Sequence, residues 1–499
     1  MARIVVIGAG MGAMTAAARL AVAGHRVVVY ERGGTYGGAL GRVERDGFAF
    51  DTGPALLQLP AVYRDLFVKT GKEPLEKCVE LSQVEPAVRH VFADGTTADL
   101  PNASRAGVGE ALDAALGDGA GVRWAAFMDR AREAWDRTRR PLLEEPLWPN
   151  WEVLAEREPY PSVPHKRLLR RERRASTLAE VGELELGGDP RLVALLEQFA
   201  LAQGLDPRTT PASAAVLPYL EQTFGVWSVR GGMRALARAV YERCLARRVE
   251  FVFDAAVTRI VEKDGRAAGV ELADGTTAEA DFVVAGVAPA ALESLLSGAE
   301  VRAPGGVPAR TGLPSRLTVL LALSGGRPEG TPYRTVLHSA DRQDELDRLF
   351  GERPGLSDSP TLAVLRPGDP DATPDAAHEA VTLTATVPAH LEVTEDDVRR
   401  VIARAEAVLP ELRDRLLWHE VRTPADVAES TGADGGAVPP PALAAAGGRL
   451  LHPSNTTGLA GLFTVGGWSH PGGGLPHAGM SGTLVAGLIV EGPEFRGSQ

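Results

Sequence analysis

Cysteine is almost missing: 499 residues contain two, Cys78 and Cys244. Two thiols cannot form a disulfide framework, and they suit a reducing compartment. Zinc-finger and iron–sulfur sites fall with them, because both need more thiolates at short spacing. The simplest expectation for Cys78 and Cys244 is a place in the core. The ten histidines are scattered without ligand spacing, so no metal site is expected. Positive charge is also in deficit, with 53 Lys and Arg against 65 Asp and Glu and a net charge of −12. A chain of that sign has nothing overall to neutralise phosphates, which argues against nucleic acid as a partner. Uninterrupted apolar runs of the ~18 residues that a spanning helix needs are lacking as well. The apolar N-terminus has no basic flank and is broken at Gly8-Ala9-Gly10, so it does not read as a targeting segment. The expected location is cytoplasmic. No internal repeat appears at a fixed period.

What is present is globular material: 44% of residues are hydrophobic and 24% charged. Arg3 to Ile7 reads as a buried strand, Met11 to Ala23 as an Ala-rich helix and Arg26 to Tyr30 as a second strand. Strand, Gly-rich turn, helix and strand make a βαβ unit. Val88 to Phe92 and Thr97 to Leu100 flank a turn at Asp94-Gly95 and read as a hairpin. Trp124 to Arg137, Leu192 to Ala202 and Met233 to Arg247 carry helical patterns. Strand signals return between Glu250 and Ala285, and Asp396 to Leu409 reads as a helix capped by Thr394. Leu462 to Val465 is a further buried strand, followed by a last helix near Ser481 to Val490. The pattern suggests an α/β domain assembled from separated segments with a second domain inserted.

Gly8-Ala-Gly10-Met11-Gly12-Ala13 follows a strand and opens a helix. There the first glycine permits a tight turn, the second lets backbone approach a pyrophosphate, and Ala13 packs helix on strand. Glu31 ends the second strand about 20 residues on, placed to accept hydrogen bonds from a ribose, and its charge opposes a 2′-phosphate. These residues point to a dinucleotide. Glu31-Arg32, then Gly37-Gly38, then Gly47-Phe-Ala-Phe-Asp51-Thr-Gly53-Pro54 resembles the flavin-dependent amine oxidase and phytoene desaturase superfamily. The family usually follows the paired glycines with Arg, where this chain has Ala39. Gly225-Val-Trp227-Ser-Val-Arg230-Gly231-Gly232-Met233 is similar to a second family segment. The resemblance implies that Val257, on the strand after the next helix, meets adenine through its backbone.

The C-terminal block, Phe463-Thr-Val-Gly466-Gly467-Trp468-Ser469-His470-Pro471-Gly472-Gly473-Gly474-Leu475-Pro476, resembles the bacterial phytoene desaturase signature. Glycines remove Cβ atoms where backbone lies against a planar ring, and the following helix aims its positive end at that ring. Trp468, Ser469 and His477 depart from the usual pattern. What the resemblance implies is FAD, held by Gly8, Gly10, Met11, Gly12, Ala13, Glu31, Arg32, Gly37, Gly38, Ala39, Gly53, Pro54, Val257, Gly466, Gly467, Gly474, Leu475 and Pro476. It also implies a discontinuous Rossmann-type domain (1–72, 226–300 and 445–499) and a substrate domain of mixed sheet and helices (73–225 and 301–444, mainly helical over 105–225).

The implied reaction is desaturation of a lipophilic small molecule by hydride transfer to the flavin, with oxygen or a quinone as acceptor, since no second nucleotide fingerprint is visible. His470 and His477 flank the flavin segment as proton-acceptor candidates. Rival readings are a related enzyme of secondary metabolism, acting on a polyketide or terpenoid, an amine oxidase, and a flavin-containing binding protein without turnover. Amine oxidases typically carry an acid where Gly467 stands. One basic run, His165 to Arg174, adjoins Trp148 and Trp151. It reads either as a solvated face or, with the stretch 141–174 as a whole, as a peripheral contact with an anionic membrane.

Overall fold

The computed structural model describes residues 1–147, 151–163, 173–296 and 312–497. Five short parallel strands, β1 (Arg3–Ile7), β2 (Arg26–Tyr30), β3 (Glu250–Val252), β4 (Phe282–Ala285) and β5 (Leu462–Thr464), form a sheet in the order β3-β2-β1-β4-β5. Every neighbouring pair is parallel. Alternation along β1 sorts its side chains to the two faces. Ile4 and Val6 pack with α1 (Met11–Val22), α2 (Met233–Ala246) and α3 (Leu475–Glu491). Val5 and Ile7 pack with Ile260 and Val270 of a small antiparallel sheet over Val257–Lys263, Arg266–Leu272 and Thr277–Glu279. Both faces are therefore covered, as a parallel sheet requires. Small residues set the spacing of α1 and α3: a Cβ on Gly482 would stand 2.4 Å from the Gly12 carbonyl oxygen. α3 runs from Leu475, earlier than the expected start near Ser481. Pro476 is tolerated because it occupies the first turn.

A seven-stranded, largely antiparallel sheet forms the second layer. Its spatial order is Leu416–Arg422, Ser315–Ser324, His378–Val387, Leu362–Leu365, Arg334–Leu337, Val88–Val91 and Thr97–Leu100. One face is apolar, with Leu317, Val319, Leu321, Val381 and Leu383 packed against Val398 and Val401 of the helix Glu395–Ala405. Thr394 caps that helix in a reciprocal box with Asp397. Helices over Arg105–Leu116, Ala120–Arg139, Leu178–Glu185, Pro190–Leu201 and Val216–Phe224 close around Trp124, Phe127 and Leu195.

The segments expected for the two domains interlock at one seam. Leu81–Gln83, beyond the expected break at 72/73, pairs with Val226–Val229, which also pairs with Leu57–Gln58. The two cysteines divide. Cys244 is buried and its Sγ donates to the Met14 carbonyl, but Cys78 is exposed, contrary to the core expectation. It follows the short 3₁₀ turn Leu75–Lys77, in which Leu75 supplies the buried side chain. Of the stretch 141–174, residues 148–150 and 164–172, which carry Trp148 and most of the basic run, lie outside the described residues. The flanking part docks inward: Leu142, Leu147 and Leu154 pack with Ala442, Ala444 and Leu451, and Trp151 lies against them. Among the described residues no helix is long and apolar enough to cross a membrane.

Candidate functional site

A continuous cavity of about 1470 Å³ lies between the parallel sheet and the large antiparallel sheet. The turn Gly8, Gly10, Met11, Gly12 and Ala13 lines it where β1 passes into α1. Gly8 has φ of +89° and its N–H donates to the Tyr30 carbonyl, so the chain reverses tightly. Gly10 is the N-cap of α1 and supplies no side-chain cap, which leaves the first-turn amides of that helix for a ligand. A Cβ built on Gly10 or Gly466 meets nothing within 4 Å. These backbone positions open directly onto the cavity.

Glu31, Arg32, Gly37, Gly38 and Ala39 continue this wall. The Glu31 carboxylate accepts the N–H groups of Ala9 and Gly33, both at 2.8 Å, and so ties the glycine turn to the end of β2. Gly37 donates to the Ala9 carbonyl, and a Cβ on Gly38 would lie 3.1 Å from the Gly10 Cα. The Arg32 guanidinium donates to the Glu429 carbonyl. Ala39 leaves the loop without its own cation. Arg42, also on the cavity, is spent on Glu44 and on the carbonyls of Gly231 and Asp371. Sequence reasoning missed Arg234, which donates to the carbonyls of Tyr36 and Leu40 and to Thr35 Oγ1 while lying 4.1 Å over the Tyr36 ring. Its position in the first turn of α2, just after Gly231-Gly232-Met233, was the available signal.

Gly53, Pro54 and Val257 line the same space. Asp51 holds the start of α2 by accepting the Met233 N–H at 2.8 Å, and burial pushes its carboxyl above the ordinary range. Its other oxygen, Oδ1, is buried without a hydrogen-bond partner.

The last part of the wall is Gly466, Gly467, Gly474, Leu475 and Pro476. Gly466 donates to Ser481 Oγ at 3.0 Å. Asn455, a second residue the sequence did not announce, donates from one amide nitrogen toward the carbonyls of Thr464 and His470 and toward Ser481 Oγ. Gly473 allows no side chain, because a Cβ would stand 1.6 Å from the Pro439 carbonyl oxygen. Like α1, α3 begins at a glycine, Gly474, with no side-chain cap.

The two histidines separate. His477 lines the cavity in the first turn of α3, and burial lowers its imidazole to about 4, so it is neutral at neutral pH. His470 is fully buried outside the cavity lining, with Nε2 at 3.0 Å from the Glu145 carbonyl and Nδ1 without a partner. Burial takes it, too, to about 4.

These residues fit FAD. Open glycine backbone, two uncapped helix starts and an acid after β2 provide for pyrophosphate, ribose and ring, and no Cβ fills the groove. The chain matches the family described as flavin containing amine oxidoreductase over residues 14–490. It is 31% identical to 4,4′-diapolycopene oxygenase of Methylomonas sp. over 98% of both chains. It is 30% identical to hydroxyneurosporene desaturase of Rhodobacter capsulatus, over 98% of this chain and 97% of that one. Among solved structures, an oxidoreductase from Methanosarcina mazei aligns with a TM-score of 0.64 at 17% identity, covering 97% of this chain and 99% of its own. Putrescine oxidase bound to putrescine aligns at 0.62 and 14% identity, covering 98% and 99%, so the two share its fold. With a glycine wall built for FAD and a match spanning nearly its whole length, the chain belongs to the flavin-containing amine oxidoreductase family and is an FAD-dependent oxidoreductase.

Proposed function

We propose that the chain is a desaturase that introduces C=C bonds into a lipophilic polyene or isoprenoid. The observation that carries this reading is the continuity of the cavity. The glycine wall and the inner face of the seven-stranded sheet border one space, so a substrate on the sheet side lies against whatever the glycine wall holds. The polyene class rests on full-length similarity to a hydroxyneurosporene desaturase and a diapolycopene oxygenase.

Bound FAD supplies the two-electron acceptor that desaturation needs. The chain's own part is placement. Glu31 would offer its remaining lone pairs to a ribose, the uncapped start of α1 would receive the pyrophosphate, and Val257 would meet the adenine. Gly466, Gly467 and Gly474 to Pro476 would provide the surface for the ring, beside the uncapped start of α3, whose positive end would favour negative charge there. His477 is the group of this wall that receives a proton from the substrate carbon, because its imidazole is neutral and retains a free lone pair. His470, outside the cavity lining, fixes the turn instead. Oxygen or a quinone takes the electrons onward, and the stretch 141–174 makes the peripheral membrane contact through which such substrates enter.

The test is anaerobic bleaching of the bound flavin. A polyene is expected to bleach it and a primary amine to leave it oxidised. Bleaching by the amine alone would favour the oxidase reading, and none with either would leave a binding protein. His477→Gln is expected to keep its FAD and to slow polyene-dependent bleaching by about 100-fold.

A further inference from the structure

The seven-stranded sheet has two unlike faces. The face against the helix Glu395–Ala405 is built on Leu317, Val319, Leu321, Val381 and Leu383, whereas the cavity face carries Arg316, Thr318, Thr382 and Thr384. Register brings three of these together. Thr318 stands directly opposite Thr384, and Arg316, two residues along the same strand, stands opposite Thr386. Threonine has the shape of valine with a hydroxyl in place of one methyl, so an aliphatic wall was open to this strand pair at no steric cost. The hydroxyls of Thr318, Thr382 and Thr384 find no partner among the described residues.

Arg316 is the sharper anomaly. Three other cavity arginines face acids: Arg42 pairs with Glu44, Arg230 with Glu80 and Asp371, and Arg334 with Glu221, whereas Arg32, Arg234 and Arg327 donate to backbone carbonyls. Arg316 has no acidic partner among the described residues. Its terminal nitrogens donate to the carbonyls of Ser315 and Ala202 and to Thr386 Oγ1, and Thr386 in turn donates to the Leu201 carbonyl. Those contacts employ three of five guanidinium N–H groups. They hold the side chain between the end of the helix Pro190–Leu201 and the sheet, and they leave its charge uncompensated. Burial lowers its pKa to about 10, which keeps it cationic at neutral pH. An unpaired charge in a wall destined for pure hydrocarbon is costly, and a guanidinium is suited to oxygen acceptors in two-point contact.

We infer that Arg316 is a specificity residue that binds a carbonyl or carboxylate oxygen on the substrate, with Thr318 and Thr384 as adjoining hydrogen-bond donors. The inference rests on the polyene reading above and narrows it: the substrate is an oxygenated polyene, not a bare hydrocarbon.

Three polyenes of equal length serve as probes for the FAD-loaded protein, one ending in methyl, one in an aldehyde and one in a carboxylate. Dissociation constants follow from the shift of the polyene absorption band. Wild type is expected to bind the oxygenated probes about tenfold or more tighter than the hydrocarbon. In Arg316→Met the ratio should collapse toward one, and Arg316→Lys should restore part of it, with FAD content reporting that each variant is folded. A preference for the carboxylate over the aldehyde marks an ion pair, and equal affinity marks a hydrogen bond; both support the assignment. Equal binding of all three by wild type, or an unchanged ratio in Arg316→Met, overturns it while leaving the desaturase reading in place. Failure of every polyene to bind or bleach the flavin overturns both.

Discussion

The two walls of the cavity are made by opposite means. One is backbone: Gly8, Gly10, Gly38, Gly466 and Gly474 present peptide groups, and the side chains nearby, Glu31, Arg234 and Asn455, hold that backbone in place. The other is side chain: Arg316, Thr318 and Thr384 project from strands whose own backbone is consumed in sheet pairing. A wall of backbone must keep its glycines to keep its shape. A wall of side chains can change its chemistry without moving a strand. The difference teaches that cofactor and substrate recognition are separable here, and substitutions on each side should break the molecule in different ways.

The largest effect is expected at Gly473. Gly473→Ala sets a Cβ against backbone that has no room to yield, so the purified protein should contain no flavin and lose about 3 kcal/mol or more of stability. Flavin absorbance and urea unfolding measure both, and a normal flavin spectrum would show the wall to be soft. Next comes acid. His470 and His477 sit at about 4 in the folded chain against 6.5 when unfolded, so the unfolded state binds more protons between those values. Stability should fall as pH drops from 6.5 to 4, by up to about 1.4 kcal/mol per pH unit for the fully buried His470. In His470→Gln the slope should flatten, and an unaltered slope would assign the acid sensitivity elsewhere.

Glu31→Ala should weaken FAD retention by about 1–3 kcal/mol, because the ribose partner and the tie to Ala9 and Gly33 go together. Equilibrium dialysis of the flavin decides it, and unchanged affinity would remove Glu31 from the site. The smallest effect is expected on the other wall. Thr318→Val should alter stability and FAD affinity by about 0.5 kcal/mol or less, since the substitution keeps shape and leaves the sheet ladder intact. A large loss of flavin in that variant would mean that the walls are not independent.

The same contrast explains what the sequence made legible. The glycine turn of the βαβ unit, Glu31 and the glycines at 37, 38, 466, 467, 473 and 474 belong to local patterns dictated by close backbone approach, and they line the cavity. The sheet wall has no such pattern. Its polar residues alternate with Leu317, Val319 and Leu383 at the period of any half-buried strand, and the strands pair across long gaps in the chain. Asn455 and Arg234 escaped notice because their importance is geometric: each holds groups that lie apart from it in sequence. Cys78 misled because residue type alone says nothing about which side of a 3₁₀ turn meets solvent.

The dispersal of the parallel sheet along the chain has a consequence for synthesis. β1 and β2 lie within the first 30 residues, yet β5 and α3, which complete the ring surface, span residues 462 to 491. Throughout translation of the intervening segment, the edge of β4 and the apolar flank of α1 lack their partners. The cofactor wall is therefore complete only once residues 462 to 491 have joined it. A chain that stops before β5 lacks the whole Gly466-to-Pro476 part of that wall.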